Sequence, residues 1–454
     1  MGNSILDRIK SVESIEGNLK EKFQLSLNPF PKSGVANISD SDEIVSMLIP
    51  SNDAVTTEII QYMQDALSQS GQAKDNKYLS LIIRGDYGMG KTQTLMYIKY
   101  LFGQLRNEQF RPYVVYIDEP GKRLSELIGN ILSQIGIENF RRYLWDVFKL
   151  YMEQYDTTET EKLRKDILLD SITKLRKHEG ELLFPDSTDG FKSNNGFNWE
   201  QMNISYKYLL DSVLKGLRSI EQKNAIQILK SYLMRCFSDK YELSAIAEYF
   251  YDIVTDNTSV SQSWDRLITG DIKYIDKREV HILKAIVDVA KTYLNATDFI
   301  ILVDEFEEIA AGRLKDSDLD NYLRNLRSLI DKEKNWCAVF AMNGDAYRKI
   351  LKMSPPLASR LGDRIIDLKP LNVESCATMI HNYLQTAQSE QTDSLYPFDI
   401  SAITTLLNVK DISIQGSPRF IIQSCYLLLQ RAAEELEKGQ YIDGDFVKKH
   451  LPNL

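Results

Sequence analysis

The spacing of apolar residues changes character along the chain, and each change marks a boundary. Before residue 53 the pattern is mixed, and Asn28-Pro29-Phe30-Pro31-Lys32-Ser33-Gly34 reads as loop because Pro31 and Gly34 break any regular element. From Asp53 to about Leu67, Val55, Ile59, Ile60, Met63 and Leu67 recur at helical spacing, which predicts a helix with one apolar face. Two short apolar runs, Tyr78 to Arg84 and Tyr113 to Asp118, then flank a helical pattern from Lys91 to about Leu105. Strand, helix, strand in that rhythm predicts a parallel α/β sheet.

From about Lys122 to Ala296 the strand signal disappears. Leu, Ile and Tyr recur there at helical spacing, broken by a polar loop around Pro185 to Asn198 that holds Gly190 and Gly196. Apolar runs return at Phe299 to Val303, Cys337 to Met342 and Arg364 to Leu368, and beyond Asn372 the pattern is helical again. The expected organisation is an N-terminal linker segment over 1–77, a first part of an α/β core over 78–121, and an all-helical insertion over 122–296. A second part of the core follows over 297–370, then a helical lid over 371–454. No internal repeat or low-complexity tract is visible.

Composition removes whole classes. With 43% hydrophobic and 26% charged residues over 454 positions, the chain has the balance of a globular protein with a real core, which excludes fibrous and disordered classes. No run reaches the roughly 18 to 20 apolar residues of a bilayer span, and MGNSILDRIK is too polar for a signal-peptide core. A cytoplasmic protein with no membrane partner is expected. Lipidation is not expected either, because Leu6 stands where the myristoylation pattern following Gly2 wants Ser or Thr. Cys236, Cys337, Cys376 and Cys425 form no CxxC pair, and His178, His281, His381 and His450 cluster with nothing, which argues against disulfides or zinc. Cys337, inside an apolar run, is expected to act as a small core hydrophobe. The net charge of −9 argues against coating nucleic acid by bulk charge. DNA stays open as a partner through a local basic face such as Lys162, Arg164, Lys165, Lys174, Arg176 and Lys177.

Directly after the first apolar run stands Gly85-Asp86-Tyr87-Gly88-Met89-Gly90-Lys91-Thr92, a full match to GxxxxGK[ST] that leads into a helical pattern. Glycines let a backbone wrap so that its N–H groups face phosphate oxygens, and the helix N-terminus adds positive dipole character. Lys91 would neutralise the β- and γ-phosphates, and Thr92 would offer its hydroxyl to Mg²⁺. An apolar strand ending in carboxylates, Phe299-Ile300-Ile301-Leu302-Val303-Asp304-Glu305, supplies the second half of such a site. Asp304 would hold the Mg²⁺ shell, and Glu305 would orient and activate the attacking water. Glu307 and Glu308 follow, and are read as helix-start carboxylates that serve the dipole. No NKxD guanine-reading sequence occurs, so ATP is expected rather than GTP.

With these two motifs on an alternating chain, the sequence resembles the AAA+ ATPase superfamily over about residues 78–120 and 297–440. The resemblance implies a P-loop core, a C-terminal lid, and ATP with Mg²⁺ as cofactors. It gives Asn343, after the strand Ala338 to Met342, the place of a sensor-1 residue that positions the lytic water. Pro355-Pro356-Leu357-Ala358-Ser359-Arg360-Leu361-Gly362-Asp363-Arg364 looks like the SRL segment of origin-recognition initiators, which makes Arg360 the arginine-finger candidate and Arg364 the runner-up. A finger supplied from a neighbouring subunit implies a homo-oligomer. Gly416-Ser417-Pro418-Arg419-Phe420 is similar to the GxPR sensor-2 signature, which points Arg419 at the γ-phosphate from the lid. Trp264-Asp265-Arg266-Leu267-Ile268-Thr269-Gly270, with Lys277-Arg278 beyond, is similar to segments of BREX-type phage-defence ATP-binding proteins and other STAND-like bacterial ATPases. Trp264 itself is expected to anchor the helical body. Two departures stand out. The insertion separates Lys91 from Asp304 far beyond what a minimal core needs, and is expected to recognise a protein partner of the same system. Too few residues follow Arg419 for the winged-helix domain that initiators append, so base readout by that route is not expected. Two functions compete: an oligomeric ATPase that remodels a DNA- or protein-bound complex in defence or DNA maintenance, and a slow nucleotide-gated switch.

Overall fold

The computed structural model describes residues 16–33, 53–68, 78–140 (less 108 and 138), 264–265, 278–388 (less 313 and 363) and 395–451 (less 410, 412 and 413). Cys236, the basic residues between Lys162 and Lys177, and the loop from Pro185 to Asn198 lie outside the described residues. The elements in order are α1 (Asp53–Ser68), β1 (Leu79–Arg84), α2 (Lys91–Gln104), β2 (Pro112–Ile117), α3 (Leu124–Ile135), α4 (Arg278–Tyr293) and β3 (Asp298–Val303). They continue with α5 (Asp316–Lys332), β4 (Cys337–Met342), α6 (Gly344–Met353), α7 (Pro355–Leu361), β5 (Ile365–Asp367), α8 (Val373–Ala387), α9 (Ile400–Leu407), α10 (Pro418–Glu435) and α11 (Gly444–His450). Two units result: residues 1–120, 300–327 and 336–454 in one, and 121–299 with 328–335 in the other.

The first unit is an α/β fold around a five-stranded sheet in the order β2-β3-β4-β1-β5. Strand β1 pairs in parallel with β4, from Leu79 opposite Cys337 to Arg84 opposite Met342, and with β5, which sets Arg84 opposite Asp367. Strand β4 pairs in parallel with β3, which sets Val303 opposite Phe340. All six side chains of β3 and all six of β4 are buried, as expected for central parallel strands covered on both faces. Helices α1 and α2 cover one face with Val55, Ile59, Tyr62, Met63, Leu95, Ile98 and Phe102. Ile60, expected on the apolar face of α1, is 46% exposed, whereas Tyr62 is buried and donates its hydroxyl to the Ala338 carbonyl at 3.1 Å. A tyrosine can face a core when its hydroxyl finds a partner.

The C-terminal helices build a second core from Cys376, Ile380, Leu384, Ile403, Leu406, Ile421, Leu428, Leu429 and Val447. Side chains of Asn372, Asp399 and Asp443 cap α8, α9 and α11, each accepting from a backbone N–H in the first turn. Residues 1–77, read from the sequence as a linker segment, supply side chains to both cores. Leu19, Phe23, Leu25 and Phe30 are part of the lid core, while α1 belongs to the sheet's. Ser26 N donates to Ala387 O at 2.8 Å, Asn28 Nδ2 to Tyr426 O at 3.1 Å, and Lys22 Nζ to Ala433 O at 2.9 Å. Pro31 lies outside regular structure, as expected, whereas Gly34 lies outside the described residues; Phe30 packs against the rings of Tyr383 and Phe398.

In the second unit α3 and α4 pack on each other, and Leu127, Ile131, Ile282 and Ile286 on them are buried. The rings of Trp264 and Phe140 lie 5.9 Å apart, tilted by 50°. Cys337, Cys376 and Cys425 are buried free thiols, and burial pushes the Cys376 thiol up to about 12.

If residues 16–33 belong to the lid core, Phe23→Ala removes a fully buried ring and lowers lid stability by about 3 kcal/mol. Leu27→Ala, at a half-exposed neighbour, costs no more than about 0.5 kcal/mol. Urea unfolding followed by circular dichroism measures both, and equal small effects would show that the segment merely rests on the lid.

Candidate functional site

The site grows from the carboxyl ends of β1, β4 and β3. Parallel register places Gly85 and Asn343 each one step past a paired end, and Gly85 N donates to Met342 O at 3.2 Å. Gly88 and Gly90 have φ of 80° and 88°, in the left-handed region that suits glycine. A Cβ on Gly88 would also meet Ser417 Oγ at 2.7 Å. The loop feeds α2, whose N-cap Gly90 provides no side-chain hydrogen bond and whose first turn holds no acidic residue. With no acidic residue in this turn, the helix dipole faces the loop, which suits an anion.

Lys91 folds back over this loop, donating from Nζ to Gly85 O at 3.0 Å and pairing with Glu307 Oε1 at 3.1 Å. Here the dipole reading of Glu307 needs correction. Phe306 and Ile309 of the 3₁₀ turn Phe306–Ile309 are buried, Phe306 against Phe340 at 4.7 Å and Tyr322 at 6.3 Å. With that anchor in place, Glu307 meets Lys91, a charge pair whose side chains are only 10% and 17% exposed. Asp304 is 3% exposed, and its Oδ1 accepts from Glu305 N at 2.9 Å. Its Oδ2 accepts from the Tyr116 hydroxyl at 2.8 Å. Glu305 has a φ of 46°, a left-handed conformation that costs a non-glycine residue on the order of 1 kcal/mol. Burial raises its carboxyl above the usual range, and the nearby charges of Asp304, Glu308, Glu307 and Glu119 add to the rise. A carboxylate made more basic in this way is a better proton acceptor.

One cavity of about 180 Å³ brings together Tyr87, Gly88, Gly90, Lys91, Thr92, Asp304, Glu305 and Arg419, with Gln93, Glu307 and Pro418. The lid reaches it through the start of α10, where Pro418 occupies the first turn. Ser417 Oγ and Arg419 N both donate to Gly88 O, at 3.2 and 3.3 Å. The Arg419 guanidinium lies 5.0 Å from the centre of the Tyr87 ring and donates to its hydroxyl. Gly416, with φ 66°, makes this approach feasible, since a Cβ there would strike Pro370 Cβ at 2.8 Å and Leu371 O at 2.9 Å. A second cavity, about 170 Å³, shares Gly90, Gln93 and Pro418 with the first. Val55, Met89, Leu368, Pro370, Leu371 and Met379 give it apolar walls.

Other expected residues stand apart from the cavity wall. Asn343 uses Oδ1 to accept from Ala346 N at 2.8 Å, capping α6, which leaves its amide nitrogen as the group that could meet a water. Gly85 and Asp86 start the loop, and Met89 lines the second cavity. Arg360 ends α7, with its carbonyl accepting from Ser80 Oγ at 2.8 Å. Ser80 lies near the start of β1 and the loop follows its end, so this backbone lies about 16 Å from Gly85 by strand rise. Arg364, the runner-up, pairs with Asp65 of α1.

No family model matches this chain. No curated protein matches it either. Among solved structures it is similar to the Aeropyrum pernix ORC2 protein in ADPNP–ADP complexes, at 12% identity and a TM-score of 0.41. The match covers 88% of this chain and 66% of that one, so this chain spans less than two thirds of that protein's length.

What the arrangement can do follows from its donors. The start of α2, a lysine and an arginine surround a space that suits phosphate oxygens. Thr92 and Asp304 offer hard oxygen donors on the same wall. Among the described residues, no three His, Cys, Asp or Glu side chains group closely enough to hold a metal by themselves. Sequence reasoning missed Glu307 as the partner of Lys91, Tyr116 behind Asp304, and the second cavity; the cue for Glu307 was its place in a DEFEE run.

Because Glu307 competes with any anion for Lys91, Glu307→Gln should tighten binding of inorganic tripolyphosphate by roughly 1 kcal/mol, about fivefold in Kd. Isothermal titration of the two proteins in EDTA checks this, and weaker binding by the variant would show that Glu307 supports the site rather than competing for it.

Proposed function

We propose that the chain is a Mg²⁺-dependent ATPase of the AAA+ type. The observation that carries this reading is the single cavity where the GxxxxGKT loop, Asp304 and Glu305 from the end of β3, and Arg419 from the lid converge. In this reading the triphosphate lies on the backbone of Gly85 to Thr92, with Lys91 against its outer phosphates in place of Glu307. Thr92 and Asp304 would hold Mg²⁺, which supplies charge neutralisation at the phosphates. Glu305 accepts the proton of the attacking water, Asn343 orients that water, and Arg419 stabilises charge on the γ-phosphoryl group. The second cavity, walled by apolar and polar side chains, receives the base, and the missing NKxD sequence favours adenine.

We further propose a homo-oligomer in which Arg360 completes the site of a neighbour. What supports this is that its backbone lies about 16 Å by strand rise from the start of its own phosphate loop, while its guanidinium donates to Pro356 O of its own helix. The likeness of Trp264 to Gly270 to phage-defence ATP-binding proteins supports a role in remodelling a DNA- or protein-bound complex. A slow nucleotide-gated switch is the second reading. It is favoured by the two lid hydrogen bonds to Gly88 O, which tie the lid to the phosphate loop itself.

Lys91→Ala should lose ATP binding, whereas Glu305→Gln should bind ATP normally and hydrolyse it at least about 100-fold more slowly. Fluorescence titration and phosphate release measure the two. Wild-type ATP affinity in Lys91→Ala would remove the site assignment, and wild-type turnover in Glu305→Gln would require another base. For the oligomer, mixed Arg360→Ala and Lys91→Ala subunits should recover part of the turnover that each lacks alone. No gain on mixing, at concentrations where the wild type is active, counts against a finger in trans.

A further inference from the structure

Tyr116 lies on β2, 188 positions from Asp304, yet its hydroxyl donates to Asp304 Oδ2 at 2.8 Å. Backbone pairing brings them together, because Asp304 N donates to Ile117 O at 2.8 Å. The two carboxylate oxygens are thus held from different directions. Oδ1 accepts the N–H of Glu305 within its own turn, and Oδ2 accepts the phenol from the neighbouring strand. The ring of Tyr116 is buried in the core beneath the sheet, 6% exposed, so the hydroxyl cannot swing away without disturbing that packing. A phenylalanine would fill the same apolar volume, so the hydroxyl serves polar contacts rather than shape. Each carboxylate oxygen has a second lone pair, and Asp304 lines the phosphate cavity.

We propose that Tyr116 is a positioning residue for Asp304, fixing the rotation of the carboxylate that the ATPase reading assigns to the Mg²⁺ shell. The proposal rests on that reading. Groups behind a metal ligand set its orientation and charge, and their loss weakens metal binding even though they never touch the metal. Freed of the phenol, Asp304 can rotate about its side-chain torsions, and the buried oxygen that loses its donor turns toward water or toward the backbone instead. A merely structural tyrosine would behave otherwise: its loss would lower thermal stability and leave the response to Mg²⁺ where it was.

The test uses the full chain and a fluorescent non-hydrolysable ATP analogue titrated with Mg²⁺. Tyr116→Phe removes one oxygen at constant packing. It should raise the Mg²⁺ concentration for half-maximal binding about tenfold, with binding in EDTA unchanged. In an Asp304→Asn background the same substitution should add no further shift, because the carboxylate through which Tyr116 acts is gone. Two results overturn the proposal while leaving the ATPase reading intact: a Tyr116→Phe midpoint equal to wild type, or a full shift that persists in the Asp304→Asn background. A wild-type chain that binds no analogue at any Mg²⁺ concentration overturns the ATPase reading, and this proposal with it.

Discussion

Three neighbouring strands, β1, β4 and β3, run parallel, so their carboxyl ends lie at one edge of the sheet and the chain leaves the sheet there three times. Those departures are the phosphate loop after Arg84, Asn343 after Met342, and Asp304-Glu305 after Val303. Residues far apart in sequence therefore meet because of hydrogen-bond register alone. A shift of β3 by one residue against β4 would turn Asp304 to the other face of the sheet and separate it from Lys91. All twelve side chains on β3 and β4 are buried, so the strands that carry the polar site at their ends are also the centre of the apolar core.

Charge is the second constraint. Asp304, Glu305, Glu307 and Glu308 crowd the end of β3, and the raised proton affinity of Glu305 records their mutual repulsion together with burial. Lys91 relieves part of this by pairing with Glu307. In the ATPase reading, an anion entering the loop would take that lysine, and a divalent cation carried with the phosphates would restore positive charge together with Arg419, which lies over the Tyr87 ring on the same cavity.

Much of this was legible in the sequence. The apolar runs marked every core strand to within a residue or two, because a strand buried on both faces has no polar alternation to blur it. The loop and the carboxylates of β3 were legible because both motifs are local in sequence. What stayed hidden depended on contacts between distant segments. Nothing in Leu19, Phe23 or Phe30 says that their apolar partners lie some 350 to 400 residues later, so a packed segment of the lid core read as a linker. Tyr116 looked like one more strand residue, since a phenol's partner is invisible until the neighbouring strand is placed. Glu307 was misread for a related reason: spacing puts it in a first turn, but the burial of Phe306 turns it toward Lys91.

The N-terminal segment changes how the lid can move. A lid joined to the core only near residues 368 to 372 could swing about that single connection. Here Leu19 to Phe30 are packed inside the lid while α1, further along the same segment, is packed on the sheet and contributes Val55 to the second cavity. One N-terminal segment thus contributes side chains to the lid core and to the sheet core. The cavities on the two sides of Gly90 share Pro418 of the lid, so a tilt of α10 alters both at once. It also strains the hydrogen bonds from Ser417 and Arg419 to Gly88 O, on the loop that would bear the phosphates. Any change in what that loop holds is therefore felt by the lid through its backbone.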